Sequence, residues 1–96
     1  MSYAALMQAL VLCRQTDAAA KIMKELMPDN GVRVLAIHYA ILMAGYIKQG
    51  LYEKVVKLRH RMEKRNIRST LATNISYLKA KTIQELKGLR GADFTD

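Results

Sequence analysis

Ninety-six residues give room for one small domain and not for two well-filled cores. A hydrophobic share of 51% beside 25% charged residues excludes a disordered chain, and the single Cys13 excludes both an internal disulfide and a cysteine-pair metal site. Sixteen basic against eight acidic residues leave a net charge of +8, which favours acidic partners such as RNA; residues 35–70, with eight basic and two acidic, carry most of it.

Long stretches of Ala, Leu, Met and Lys, with Pro28 the lone proline, predict helices throughout. The first runs from about Ser2 to Cys13 and the second from about Asp17 to Met27, with Arg14-Gln15 in the turn between them. Pro28-Asp29-Asn30-Gly31 then breaks the chain, because proline lacks a backbone donor and glycine enters left-handed dihedrals cheaply. A third helix is expected over about Ile37 to Lys48, then the Gln49-Gly50 turn, then a fourth helix over about Tyr52 to Arg65. In that fourth helix Leu51, Val55, Leu58 and Met62 recur on one face and Lys54, Lys57, Arg61 and Lys64 on another, so the apolar stripe needs neighbours to cover it. Ser69-Thr70 offers a hydroxyl cap for a fifth helix, about Leu71 to Leu86, and residues 89–96 read as a flexible tail. No apolar run approaches the roughly 18 residues that span a bilayer, and the start, Met1 to Leu6, reads straight into a helical pattern, so no cleavable presequence is expected in these residues.

Sliding the chain on itself by 36 residues brings Tyr3 onto Tyr39, Leu6 onto Leu42, Met7 onto Met43 and Val11 onto Ile47. The same offset pairs Asp17 with Glu53, Lys21 with Lys57, Ile22 with Leu58 and Leu26 with Met62. A fixed period of this length signals stacked helical hairpins. The units are residues 1–35, residues 36–70, and residues 71–88 as the first helix of an incomplete third, which suggests an excerpt of a longer array.

Tyr39-Ala40-Ile41-Leu42-Met43-Ala44-Gly45-Tyr46-Ile47-Lys48-Gln49-Gly50 resembles the signature of the pentatricopeptide repeat (PPR) family, an aromatic-led helix running through a glycine to a Lys-x-Gly turn. Tyr52-Glu53-Lys54-Val55-Val56 is similar to the start of that family's second helix, Met62 to its closing methionine and Asn66-Ile67 to its Gly-Ile exit. Gly45, without a Cβ, is expected to let the paired helix approach closely. The tetratricopeptide repeat fits less well: it wants a proline near Ile67 and an aromatic side chain where Leu58-Arg59 stands.

The resemblance implies an all-α, right-handed superhelical solenoid of antiparallel helix pairs with about five helices. It also implies single-stranded RNA as partner, about one base per unit, and a mitochondrial location. Carried over, the base-reading positions fall on Ala40 with Thr70, on Ala4 with Val34 or Leu35, and on Ile75; the apolar position that sandwiches a base falls on Ile37, and the phosphate-contacting position on Lys48. Lys79 and Lys81 extend the basic set. Ala40, Ala4 and Ile75 have no side-chain donor or acceptor, so no base sequence can be decoded from them. Gln8, Val11, Ala44 and Ile47 are the other expected groove residues, more apolar than a good RNA track.

Lys54, Lys57, Arg59, Arg61, Lys64 and Arg65 read first as a solvated face and second as a contact for RNA, a ribosome or another acidic partner. Glu53 and Lys57 have the spacing of a surface ion pair. Structural roles are expected for His38 and His60, a buried position for Cys13, core positions with tethered hydroxyls for Tyr3, Tyr39 and Tyr46, and gap-filling for the six methionines. With no P-loop, nucleophile elbow or buried carboxylate pair, no catalytic residue, metal or cofactor is expected. The residues thus leave two functions open: an RNA-binding segment of a mitochondrial gene-expression factor, or a protein-interaction scaffold.

Overall fold

A computed structural model describes the backbone of residues 2–93 and the side chains of residues 2–88. It is all-helical over the described residues. Helix α1 is Tyr3–Leu12; α2 begins as Thr16–Lys21, passes through a π-helical turn at Ile22–Leu26 and closes with Met27–Asp29; α3 is Ala36–Lys48, α4 is Tyr52–Lys64 and α5 is Leu71–Asp93. The first helices pack in one layer, α1 on α3 and α3 on α5, while α2 and α4 lie behind them, each against its own partner and the helix that follows. This is the expected solenoid of hairpins.

The ends of the first four helices are built alike. Each closes on a residue in the left-handed region: Arg14 (φ 61°), Gly31 (φ 68°), Gly50 (φ 75°) and Asn66 (φ 55°). The next N–H then reaches back five residues, from Gln15 to Leu10 O (2.7 Å), Val32 to Met27 O (2.8 Å), Leu51 to Tyr46 O (2.9 Å) and Ile67 to Met62 O (2.9 Å). These bonds satisfy carbonyls that a helix end leaves open. The α1 and α3 ends are 36 residues apart, the α2 and α4 ends 35.

That one-residue difference is absorbed inside α2. A π-helical turn holds one residue more than an α-helical turn, and Ile22–Leu26 takes up the extra residue. The offset of 36 therefore holds for Tyr3 through Lys21 but fails beyond it: Met23 and Met27, not Ile22 and Leu26, occupy the places of Leu58 and Met62. Met27 and Met62 are both fully buried, whereas Leu26 is 44% exposed.

Met7, Met43, Tyr39, Leu42 and Val55 complete the buried seam with the residues just named. At about 1.5–3 kcal/mol for each large apolar side chain removed from water, this seam is what offsets the ordering of short helices. Five of the six methionines lie in it; Met1 is outside the described residues. Gly45 does permit a close approach, but to the preceding unit rather than to its paired helix: a Cβ there would stand 2.9 Å from Val11 Cγ1 and 3.0 Å from Thr16 Cγ2. Cys13 is exposed, against expectation, because it caps α1 one step beyond the last inward-facing turn.

Helix α5 departs most from the sequence reading. It was expected to stop near Leu86, yet residues 89–93 are helical; residues 94–96, the rest of the expected tail, lie outside the described residues. At the register where Gly50 ends α3, α5 has Glu85, and a side chain with a Cβ gives no cheap left-handed exit. The extension runs past the α3–α4 turn, and Lys87 Nζ lies 5.3 Å from the centre of the Tyr52 ring.

Candidate nucleic-acid interface

Equivalent positions on α1, α3 and α5 place most of the expected binding residues on one ribbon across the first-helix layer. On α3 the ribbon is Ile37, Ala40, Ala44 and Lys48, spaced three or four residues apart and so on one helix face. Its counterparts are Ala4, Gln8 and Leu12 on α1, and Ala72, Ile75, Lys79 and Ile83 on α5. Ile37 and Ile75 are 56% and 55% exposed, so two apolar side chains face outward at a place where burial does not explain them. Lys48 and Lys79 are exposed. Val11 and Ile47, expected to line the same groove, instead pack against the core, and half-buried Lys81 stands at the register of Tyr46.

Thr70 is the N-cap of α5 and Leu35 the N-cap of α3, which makes Leu35 rather than Val34 the counterpart of Thr70. The Thr70 hydroxyl accepts from Thr73 N–H (3.4 Å), while Thr73 Oγ1 accepts from Thr70 N–H (2.8 Å). In the unit before, His38 fills the role of Thr73: its Nδ1 accepts from Leu35 N–H at 2.9 Å. Both third-position side chains are buried. Burial holds His38 below the usual histidine pKa. A reader of base edges at Thr70 must therefore share its hydroxyl with the helix cap.

On the opposite face, two of the six basic side chains of the α4 cluster are committed to holding units together. Arg59 donates to Asn74 Oδ1 (2.6 Å), lies 3.4 Å from Glu63 and sits 5.0 Å over the Tyr77 ring of α5. Lys54 reaches back to Asp17 of the first unit (3.2 Å) and lies 5.1 Å from the Tyr46 ring centre. Asp17 also accepts from the Tyr46 hydroxyl (2.9 Å), and this bond, then Lys54, holds its carboxyl below the usual range. Burial first and Asp17 second push Tyr46 up to about 12. Of the three tyrosines expected in the core, Tyr39 and Tyr46 are buried and Tyr3 is half-buried; Tyr46 is tethered by its hydroxyl as anticipated. Lys57 makes the expected surface pair with Glu53 (3.8 Å), a contact of little energetic weight at that exposure. Sequence reasoning missed the Arg59 and Lys54 links because their partners come from other units, 15 and 37 residues away.

Among the described residues no three His, Cys, Asp or Glu side chains gather as a metal site, and no helix is long and apolar enough to cross a membrane. His60 is exposed, 4.0 Å from Glu63.

Antiparallel helix pairs repeating at 35–36 residues, with matched caps and one shared seam, define an α-helical repeat protein. Residues 37–67 match the family model of the PPR repeat, and the match coincides with α3, α4 and their exit turn. No curated protein matches the chain.

Proposed function

We propose that the chain is a single-stranded RNA-binding segment of a mitochondrial gene-expression factor, acting in RNA processing, stability or translation. The observation that supports it most is the match to the PPR repeat in a chain of net charge +8, since repeats of this kind take about one base each on their first helices. On this reading Ile37 and Ile75 offer apolar surfaces for bases, Lys48 and Lys79 meet phosphates, and the small side chains Ala4 and Ala40 let the strand lie close. Binding is then carried by backbone charge and stacking rather than by base edges. The mitochondrial location follows the family resemblance, and tagging the parent chain in cells tests it directly.

The test of RNA binding is titration of a labelled 12-nucleotide oligouridine at several salt concentrations. Affinity should fall with salt at a slope of about 0.7 per phosphate contact. Absence of binding at low salt overturns the reading. A protein-interaction scaffold is the second reading, favoured by Leu78, 61% exposed on α5, where its counterpart Met43 is fully buried by the following unit. RNA affinity unchanged by Lys48→Glu would support it.

A further inference from the structure

The loops that join one unit to the next carry a feature that the first-helix ribbon does not. Arg33 and Arg68 lie 35 residues apart, each two positions beyond a left-handed helix exit, Gly31 and Asn66. They are therefore the same position in successive units. Both line one cleft of about 660 Å³ together with Arg65, and the floor between them is apolar, formed in part by Val32, Val34 and Ile67. No carboxylate lines this cleft.

Three guanidinium groups around one hollow repel each other unless something anionic is near, and the described residues supply nothing. None of the three makes a side-chain hydrogen bond or ion pair with any of them. Arg65 has a structural reason for its place, since it caps the C-terminal end of α4, where cations are favoured. Arg33 and Arg68 have none: they stand on loop backbone, exposed, beyond the helix ends. Guanidinium is the side chain best matched to the paired oxygens of a phosphate.

From this we propose that the inter-unit cleft seats the phosphodiester backbone of the bound RNA, with one arginine rung per unit at Arg33 and Arg68 and Arg65 between them. The inference rests on the RNA-binding reading and adds to it where the backbone runs. A rung per unit suits a ligand whose charge repeats at regular intervals, and the cleft is lined in part by Leu35, the N-cap from which α3 enters the ribbon.

The experiment compares the 96-residue chain with Arg33→Gln/Arg68→Gln and with Lys48→Gln/Lys79→Gln, using the labelled oligouridine and, separately, a polyglutamate peptide. Arg33 and Arg68 have no partners to lose among the described residues, and their mutual repulsion is relieved, so the variant should melt no lower than the parent. The expected result is oligouridine binding at least about tenfold weaker in the arginine variant, with a salt slope shallower by about 1.4 for two lost contacts. Arg33→Lys/Arg68→Lys should recover the slope but only part of the affinity. If the parent binds RNA and the arginine variant matches it while the lysine variant weakens, the cleft is overturned and the RNA reading stands. If the parent binds polyglutamate as tightly as oligouridine, with the same dependence on Arg33 and Arg68, the cleft belongs to an acidic protein instead. If the parent binds no RNA, the underlying reading itself falls.

Discussion

The first and second units solve the same packing problem with different sequences, and the difference shows what enforces the register. Unit two has an uninterrupted α4 and a glycine at its internal turn; unit one has one residue more in α2 and an arginine at the same turn. Both nonetheless bring a methionine, Met27 or Met62, to full burial, and its carbonyl accepts the same exit bond in each unit. In α2 the helix deforms and the buried contact stays, so the seam between units, rather than the regularity of any helix, fixes where each turn must fall.

The sharpest way to break the comparison is by single-residue deletion. Removing Ile22 takes out the surplus residue and should turn the π segment into plain α-helix, leaving stability within about 1 kcal/mol of the parent. Removing His60 from α4, an exposed position with no such surplus, rotates Met62 by about 100° out of the seam and should cost about 2–5 kcal/mol. Chemical denaturation of the two deletants measures both. Equal losses would mean that the π turn is not a stored insertion.

Sequence periodicity located the helices, their turns and the buried first-helix residues because those depend on spacing within a unit. Tyr39, Leu42 and Met43 could be placed in the core from the residues alone. The π turn could not, since Leu26 and Met27 are both apolar and either satisfies an offset counted by residue type. Gly45 was legible as a close approach but not its partner, because Val11 and Thr16 reach it from the preceding unit. Charge misled for the same reason at Lys54 and Arg59, which looked solvated until their partners in neighbouring units were known. Of the candidate site, the ribbon positions came from the family resemblance rather than from spacing. The arginine cleft did not, since its loops meet only when the units stack.

A smaller effect separates the two internal turns. Left-handed backbone costs a residue with a Cβ about 1–2 kcal/mol, and Arg14 bears this cost while Gly50 does not. Gly50→Arg should therefore destabilise the chain by about 1–2 kcal/mol. Arg14→Gly should stabilise it by less, because glycine also widens the unfolded ensemble. Thermal melts of the two variants would show shifts of opposite sign. Shifts in the same direction would mean that the glycine and the arginine are not solving the same turn.

The smallest difference concerns the caps of α3 and α5, where His38 and Thr73 accept the same kind of backbone bond but only one of them titrates. Burial lowers the histidine's folded pKa, so above 6.5, the value for a free histidine, the imidazole is neutral in both folded and unfolded chains and stability does not depend on it. As pH falls below 6.5 the unfolded chain takes up the proton first, and stability declines until the folded histidine is protonated too. Protonation at Nδ1 also removes the acceptor that Leu35 N–H needs, so the two events are linked. The slope cannot exceed about 1.4 kcal/mol per pH unit for one proton. Asp17 acts in a separate window, its contribution being lost only as pH falls below 3.8. Denaturation between pH 7.5 and 5 should therefore show a decline that His38→Thr abolishes while keeping the cap, as Thr73 does in the next unit, and that His60→Gln leaves in place. A His38→Thr chain that still loses stability over this range would show that the buried imidazole is not its source.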